Sequence, residues 1–278
     1  MVISLQKKRK KAGEGLALKI VAVVGLCIAI FGLGGTYLYL KSTARQLHKT
    51  THCPLNGPDK VTVVLLDMTD PLTGIQQASV RNFMEDVIKS VPKYGKIEFY
   101  TISPIQNKPL KAEIALCNPG TANLNEISLT TNNKKIHGVW VSQFKARLDD
   151  VLNAAFQQKT GQTSPILESI QSVSVTAFGV PEHKDIDREL VLISDLIQYT
   201  PPYLDMYKKI PTIDEFKSMT VFNQIRADLR NVNVRFGLVQ RQTSNNVQNA
   251  KFLAFWEDYF SETGAVVVKS TPILGTPK

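Results

Sequence analysis

The most constraining feature of this sequence is a long apolar run near its N-terminus. Residues 20–40 read IVAVVGLCIAIFGLGGTYLYL and contain no charged side chain. A helix rises 1.5 Å per residue, so a run of about 20 residues spans the roughly 30 Å hydrocarbon core of a bilayer. Tyr37 and Tyr39 stand at the end of the run, where amphipathic rings favour the headgroup region. The sequence therefore predicts a transmembrane helix over residues 16–40.

A cleaved signal peptide is the alternative interpretation of this run, because Ser42, Thr43 and Ala44 resemble a small-residue cleavage site. The apolar segment is longer than the roughly 7–15 residues of a signal peptide core, and Lys41 separates it from the small residues. We therefore expect an uncleaved anchor that contacts the membrane through residues 20–40.

The distribution of charge predicts how the anchor is oriented. The net charge is +9, but nine of the 33 Lys and Arg residues and only one of the 24 Asp and Glu residues precede residue 52. The remainder is close to neutral, so we expect no nucleic-acid partner. Consecutive basic residues at 7–11 predict a cytoplasmic tail over residues 1–15 and a periplasmic or extracellular C-terminal domain. The sequence contains no N-glycosylation sequon, which favours a bacterial periplasm.

The cysteines are consistent with an oxidising compartment. Cys27 lies in the apolar run, which leaves Cys53 and Cys117 as the two cysteines outside the membrane. We expect these two to form a disulfide. His48 and His52 lie close to Cys53, but their spacing does not match a zinc signature.

A single large domain follows a short linker. Residues 41–58 are predicted to be the linker, because Pro54, Gly57 and Pro58 interrupt regular structure at its end. The domain is predicted to occupy residues 59–278. With 43% hydrophobic and 21% charged residues, the chain has the composition of a protein that buries a core.

Strand and helix patterns alternate within this domain. Short apolar runs are typical of buried strands, and longer segments show apolar residues at helical spacing. Strands are predicted at residues 61–66, 97–102, 111–117, 190–194, 234–239 and 265–269, and helices at 74–90, 139–156, 164–178, 213–231 and 246–263. The alternation predicts an α/β fold with a doubly wound, mostly parallel, Rossmann-like sheet.

Several oxygen-bearing side chains follow the predicted strands, where ligands of doubly wound sheets bind. Asp67 and Thr69 follow the first strand, Asp195 follows the strand at 190–194, and Thr163 precedes a helix. Carboxylates and hydroxyls suit Mg²⁺, Ca²⁺ or Mn²⁺. No Lys or Arg is evident near them, so we expect the carboxylates to repel each other unless a divalent cation binds or one of them is protonated. Alternatively, the two aspartates cap turns and helices.

The order and spacing of these residues resemble a von Willebrand factor A-type (VWA) domain over most of residues 61–269. That family has a metal-ion-dependent adhesion site. An Asp-x-Ser-x-Ser motif follows the first strand, a Thr lies in a Gly-x-Thr-like loop, and an Asp ends a later strand. The resemblance implies Asp67, Thr69, Thr163 and Asp195 as the metal ligands.

Two departures from the family pattern make this adhesion site degenerate. Pro71 stands where the family has the second motif serine, and Leu196 stands where a glycine commonly follows the aspartate. Members of the family generally bind other proteins, and most are not enzymes. The resemblance therefore implies a membrane-anchored protein-binding or assembly module.

Tyrosines after Asp195 are the predicted partner contacts. Tyr199, Tyr203 and Tyr207 lie in the segment 199–211, which is expected to rim the site. Rigid aromatic side chains are enriched at interface hot spots. A packed surface loop is the alternative.

An enzyme is the rival functional class. The segments LDMTD and LVLISD faintly resemble motifs of haloacid-dehalogenase-type phosphotransferases, in which a strand-end Asp attacks phosphate. That family needs an acid/base Asp two residues later, where this chain has Thr69, so no enzymatic activity is expected. A purely structural subunit of a membrane complex is a third possibility.

Overall fold

The chain forms two compact units, Met1–Gln46 and Leu47–Lys278. The structure is a computed structural model, and it describes residues 3–43, 45–102, 109–122, 132–158, 160–241, 244 and 246–275.

The first unit is a long helix, α1 (Ile3–Thr43). Its segment Lys19–Tyr39 is long and apolar enough to cross a membrane, and none of that segment is buried inside the protein. Within the described residues it is the one helix with these properties. The side chains of residues 7–11, on which the predicted orientation depends, lie outside the described residues. The orientation therefore stays a prediction.

The second unit begins earlier than the predicted domain boundary at residue 59. Leu47 forms a β-bridge with Pro54, and the backbone N–H of Cys117 donates to the carbonyl oxygen of Thr51 at 2.8 Å. Cys53 and Cys117 form a disulfide, with their Cα atoms 4.7 Å apart. Most of the segment predicted as a linker is thus attached to the domain.

A six-stranded sheet forms the centre of this unit. Its strands, with a small separate hairpin formed by the fifth and sixth, are β1 (Lys60–Asp67), β2 (Lys96–Ile102), β3 (Ile114–Cys117), β4 (Asp187–Ser194), β5 (Tyr199–Thr200), β6 (Leu204–Asp205), β7 (Val232–Val239) and β8 (Val266–Ile273). The strand order is β3-β2-β1-β4-β7-β8. Within the described sheet, β3 pairs antiparallel and every other pairing is parallel. The predicted doubly wound, mostly parallel α/β sheet is confirmed.

Helices cover both faces of the sheet. They are α2 (Gly74–Ser90), α3 (Asn133–Trp140), α4 (Ala146–Ala155), α5 (Ile166–Thr176), α6 (Ile213–Lys217), α7 (Phe222–Ile225) and α8 (Ala250–Glu262), with a π-helical turn, Val141–Lys145, between α3 and α4. Alternation along β1 separates the two cores: Val63 belongs to the cluster with α5 to α8, and Val64 belongs to the cluster with α2 to α4. Five aromatic side chains of α8 are buried in the first cluster.

One predicted element is wrong. Residues 213–231 were expected to form a single helix, but α6 and α7 are short and the chain is extended after Ile225. Ile225, Ala227 and Leu229 are buried, whereas the residues between them are exposed. Burial at every second residue is the pattern of an extended chain, so packing against the core overrides the helical tendency of this segment.

Candidate functional site

The carboxyl ends of β1 and β4 place Asp67 and Asp195 side by side. The two strands pair in parallel, with Leu66 opposite Ile193. Asp67 is the last residue of β1 and Asp195 follows β4, so both aspartates reach the same edge of the sheet. Both are almost fully buried, with 4% and 3% of their surface exposed. Asp67, Thr69 and Asp195 therefore meet at the edge predicted from the sequence.

Asp67 is surrounded by hydrogen-bond donors. Its Oδ1 accepts from the backbone N–H of Thr69 at 3.0 Å and from the Thr69 hydroxyl at 2.6 Å. Its Oδ2 accepts from the Ser194 hydroxyl at 2.7 Å. These charge-assisted hydrogen bonds stabilise the negative charge of Asp67 in a buried position that water does not reach.

The loop before α5 completes this network through Ser164. The Ser164 hydroxyl lies 3.0 Å from the Thr69 hydroxyl and 3.5 Å from Asp67 Oδ2. The Ser164 backbone forms a β-bridge with Tyr199, and Gly161 N–H donates to the carbonyl oxygen of Thr69 at 3.0 Å. Thr163, the predicted loop ligand, is the half-buried neighbour of Ser164. Ser164 was missed because the resemblance directed attention to the threonine.

A cation does lie in the site, contrary to the expectation from the sequence. Arg241 follows the end of β7, and its Nε donates to Asp195 Oδ2 at 2.8 Å. Its other guanidinium nitrogens donate to the carbonyl oxygens of Pro71 at 2.7 Å and Asp70 at 3.4 Å. The expectation that no cation lies near the aspartates was wrong because Arg241 is 46 positions from Asp195 in sequence. The strand-end rule that selected the aspartates, applied to β7, would have placed Arg241 at this edge of the sheet, but it would not have shown that Arg241 pairs with Asp195.

Leu196 adopts a backbone conformation that glycine adopts more readily than other residues. Its φ is +62°, in the left-handed region that most side chains avoid. The Leu196 carbonyl oxygen accepts from Trp256 Nε1 at 3.0 Å, and its N–H donates to the Ser194 hydroxyl at 2.8 Å. Gln248 Nε2 donates to the carbonyl oxygen of Asp195 at 3.0 Å. These contacts fix the loop despite the missing glycine.

The two buried carboxylates interact electrostatically. Burial raises the pKa of Asp195 to about 6, and the nearby charge of Asp67 acts in the same direction. The guanidinium of Arg241 acts in the opposite direction and only partly offsets these two effects. Burial and the charges of Asp195 and Asp70 also raise the pKa of Tyr207 to about 12. The site is therefore an acidic centre that holds its own cation.

The arrangement does not fit a resident divalent ion. Asp195 Oδ2 already faces the guanidinium of Arg241, and a metal ion at that oxygen would meet a like charge. Both oxygens of Asp67 already accept short hydrogen bonds. Pro71 supplies only a carbonyl oxygen, which accepts from Arg241. The described residues also contain no group of three or more His, Cys, Asp or Glu side chains that could hold a metal.

Of the predicted contact tyrosines, Tyr199 and Tyr207 lie beside this centre, and Tyr203 lies beside Glu168 of α5. Tyr199 and Tyr207 pack edge to face, with their ring centroids 5.8 Å apart. Tyr203 and Tyr207 are exposed, by 39% and 46%, and the Tyr203 hydroxyl donates to Glu168. Burial raises the pKa of Glu168, which favours its protonated form. Tyr199 is partly buried, so the exposed aromatic surface consists of Tyr203 and Tyr207.

The geometry also bears on the phosphotransferase interpretation. Thr69, at the position where that chemistry needs an acid/base, is held by Asp67 at 2.6 Å. A threonine hydroxyl does not ionise at neutral pH, so it cannot act as the general acid or base that this chemistry needs. The Asp67 carboxylate is buried and fully engaged, so it is poorly placed to attack a substrate.

Comparisons with known proteins concern the fold alone. No protein-family model matches the sequence, and no curated protein matches it. Among solved structures, the SpRpn10 VWA domain is similar, with a TM-score of 0.41 and 13% identity over 79% of this chain and 90% of that one. An aerotolerance-related membrane protein from Bacteroides fragilis NCTC 9343 gives 0.37 and 10%, over 75% and 90%. The conserved hypothetical protein BatB from Bacteroides thetaiotaomicron gives 0.36 and 8%, over 76% and 91%.

The strand order itself defines the architecture. A central parallel sheet has one antiparallel edge strand, β3, and helices on both faces. Asp67 ends its first strand, and Asp195 directly follows its fourth strand. The chain is a mostly parallel α/β domain that follows an N-terminal apolar helix, and its fold is similar to that of a solved VWA domain.

Proposed function

We propose that this chain is a membrane-anchored module that binds a protein partner at the carboxyl edge of its sheet. The observation that supports this most directly is a pair of exposed aromatic rings, Tyr207 beside the acidic centre and Tyr203 at the turn of the β5–β6 hairpin, next to Glu168. Tyr203 and Tyr207 present rigid, amphipathic side chains that lose little conformational entropy on binding. They lie around the β5–β6 hairpin, whose Leu204 and Met206 are buried and hold it in place.

The centre beneath these tyrosines acts as a rigid platform in this proposal. Arg241 connects the loop after β1, through Pro71, with the loop after β4, through Asp195. The loop before α5 is joined to the same network through Ser164 and its bridge to Tyr199. A partner would therefore meet a surface that is already ordered, which lowers the entropic cost of association.

Arg241 has the role of the cation in this module. In a metal-ion-dependent adhesion site the ion neutralises the aspartates, and here the guanidinium faces Asp195 instead. Divalent-ion binding by Asp67, Thr69, Thr163 and Asp195 stays a prediction that melting experiments can test. The proposal expects partner binding that does not depend on divalent ions.

Site-specific photo-crosslinking of the full chain in its native membrane tests the binding surface. A photoreactive residue at Tyr207 should yield a discrete protein adduct, whereas one at Leu253 on α8 should not. The two positions are matched in exposure, at 46% and 44%. The adduct should persist in EDTA and weaken in a Tyr203→Ala chain.

Equal adducts from Tyr207 and Leu253 would remove the basis for a binding surface at this edge. An adduct at Tyr207 that disappears in EDTA would keep the surface but reject Arg241 as its cation. Phosphate release from a phosphomonoester by the purified chain, lost in Asp67→Asn, would favour the enzyme class instead.

A further inference from the structure

A second charged feature lies at the opposite edge of the sheet. An open cavity of about 560 Å³ is bordered by the amino ends of β4 and β7. Its charged lining residues are Lys184, Arg188, Asp228, Arg226 and Arg230. β4 is eight residues long, so this cavity is on the order of 20 Å from the aspartates at the carboxyl ends.

The charge of this cavity is unusual for the domain. Four cations and one carboxylate line it, whereas residues 52–278 as a whole are nearly neutral. Asp185 and Asp187 are exposed and do not line the cavity, and Glu189, which follows Arg188, is buried, pairs with Lys60 and Arg235 and does not line it either. The excess of positive charge is therefore local, and it favours an anionic ligand.

The Lys and Arg side chains that line the cavity are only partly paired with other groups of the described residues. Asp228 pairs with Arg230 at 2.6 Å. Arg188 donates through one terminal nitrogen to the carbonyl oxygen of Arg230 at 2.9 Å, while its Nε is buried without a hydrogen-bond partner in the described part of the chain. Arg226 lies over the Phe222 ring, 6.0 Å from its centroid. Neither Arg226 nor Lys184 forms a salt bridge with any described carboxylate.

We propose that this cavity binds a phosphate-bearing anion, with its phosphate between Lys184, Arg188 and Arg226. Guanidinium groups match phosphate oxygens in a bidentate geometry, and several cations together favour a group that carries more than one negative charge. The volume suits a small ligand. Val175, which is 59% exposed, and Phe178 give the wall an apolar part, so the phosphate can belong to a lipid headgroup or to a free phosphate compound.

Titration of the full chain in a non-ionic detergent with inorganic pyrophosphate tests the free-phosphate source. Calorimetry should detect binding to the parent, weakened about tenfold or more in Lys184→Gln and in Arg226→Gln, because each loses a charge-assisted hydrogen bond. Both side chains are exposed, so the variants are expected to fold. Lys251→Gln, an exposed cation on α8, is the matched control and should bind like the parent.

Nanodiscs test the lipid source with the same variants. Hydrogen exchange of residues 226–231 is compared in phosphatidylcholine alone and in an equal mixture with phosphatidylglycerol. Protection that requires the anionic lipid, and that is lost in Arg226→Gln but not in Lys251→Gln, identifies a headgroup as the ligand. Binding of pyrophosphate without lipid-dependent protection identifies a free phosphate compound. If neither probe binds, or if the control loses as much as the cavity variants, the proposal is wrong.

Discussion

Arg241 Nε lies 2.8 Å from Asp195 Oδ2, although 46 positions separate the two residues in sequence. Asp195 is 3% exposed, and the Arg241 side chain is 15% exposed. A buried charge without its partner is costly, so each residue depends on the other more than an exposed ion pair would. We therefore expect this pair to contribute to the stability of the site and to oppose the binding of metal ions there.

We expect Arg241→Gln to lower the free energy of unfolding by about 3–5 kcal/mol, because Asp195 loses its partner inside the protein. The parent should melt at the same temperature in Mg²⁺ and in EDTA, whereas the variant should be stabilised by Mg²⁺ that replaces the guanidinium. Lys208→Gln removes an ion pair whose lysine is 84% exposed, and should cost less than about 1 kcal/mol without any metal response. A higher melting temperature of the parent in Mg²⁺ would show that the adhesion site binds metal beside Arg241.

We expect Asp67→Ala to destabilise the domain by about 1–3 kcal/mol, because the buried Ser194 and Thr69 hydroxyls lose their acceptor. From the sequence alone, relief of the repulsion with Asp195 predicts no loss of stability. Chemical unfolding of the parent and the variant distinguishes the two expectations. An unchanged or higher stability would mean that repulsion between the carboxylates outweighs these hydrogen bonds.

The pKa of Asp195 predicts a pH dependence of stability. Its value rises from 3.8 to about 6 on folding, so the folded state holds the proton more tightly than the unfolded state. The contribution of this group is fully present below about pH 4 and is lost as the pH rises through about 6. Between about pH 4 and about pH 6, the free energy of unfolding of the parent should therefore include a contribution that falls as the pH rises. This contribution should be absent in Asp195→Asn. A parent that gains stability from this group as the pH rises would contradict the direction of the shift.

The disulfide between Cys53 and Cys117 should be present in protein isolated from its native compartment. It closes a loop with a sequence separation of 64, for which chain entropy gives about 4 kcal/mol of stabilisation. Cys117→Ser should lose a contribution of that size, whereas Cys27→Ser, in the apolar helix, should leave the melting of the domain unchanged. Mass spectrometry without reductant provides the direct measurement, and two free thiols at 53 and 117 would disprove the pairing.

Residues 52–278 are expected to lie outside the cytoplasm, because the basic cluster at 7–11 precedes the apolar helix. Alkaline phosphatase fused to the C-terminus should be active, since it requires an oxidising compartment, and a fluorescent reporter that folds only in the cytoplasm should remain dark. Replacing the basic residues at 7–11 by glutamine is expected to reduce this asymmetry. The opposite pattern of reporters would place the domain in the cytoplasm.

The sequence predicts the centre of the sheet well because β1, β2 and β4 are buried on both faces. Continuous apolar runs such as residues 190–194 stand out in a chain whose charges lie elsewhere. The segment 213–231 was mispredicted because Ile225 and Leu229, four residues apart, fit a helical spacing as well as the alternation of a core-facing extended chain. Local pattern does not distinguish these two cases, and tertiary packing decides between them.

The candidate site could be predicted only in part, because the sequence indicates which residues reach the edge of the sheet but not which of them pair. Asp67 and Asp195 were found because parallel strands bring their carboxyl ends to one edge. Ser194 was not singled out because it is the last residue of a buried strand. The direction of its hydroxyl depends on the backbone at the strand end, which the sequence does not show. Arg241 was missed because a charge after a strand is common, and only the structure reveals which carboxylate it reaches.

The disulfide has a mechanical consequence for a domain tethered at its N-terminus. Without the disulfide, a force applied to the N-terminal segment would reach the sheet at Lys60. It would then load β1, the strand that pairs with both β2 and β4. With the disulfide, the covalent bond at Cys53 diverts tension to Cys117, at the end of the antiparallel edge strand β3. The load then falls on the edge of the sheet, so β1 and the Asp67 that ends it bear less of a force applied through the N-terminal helix.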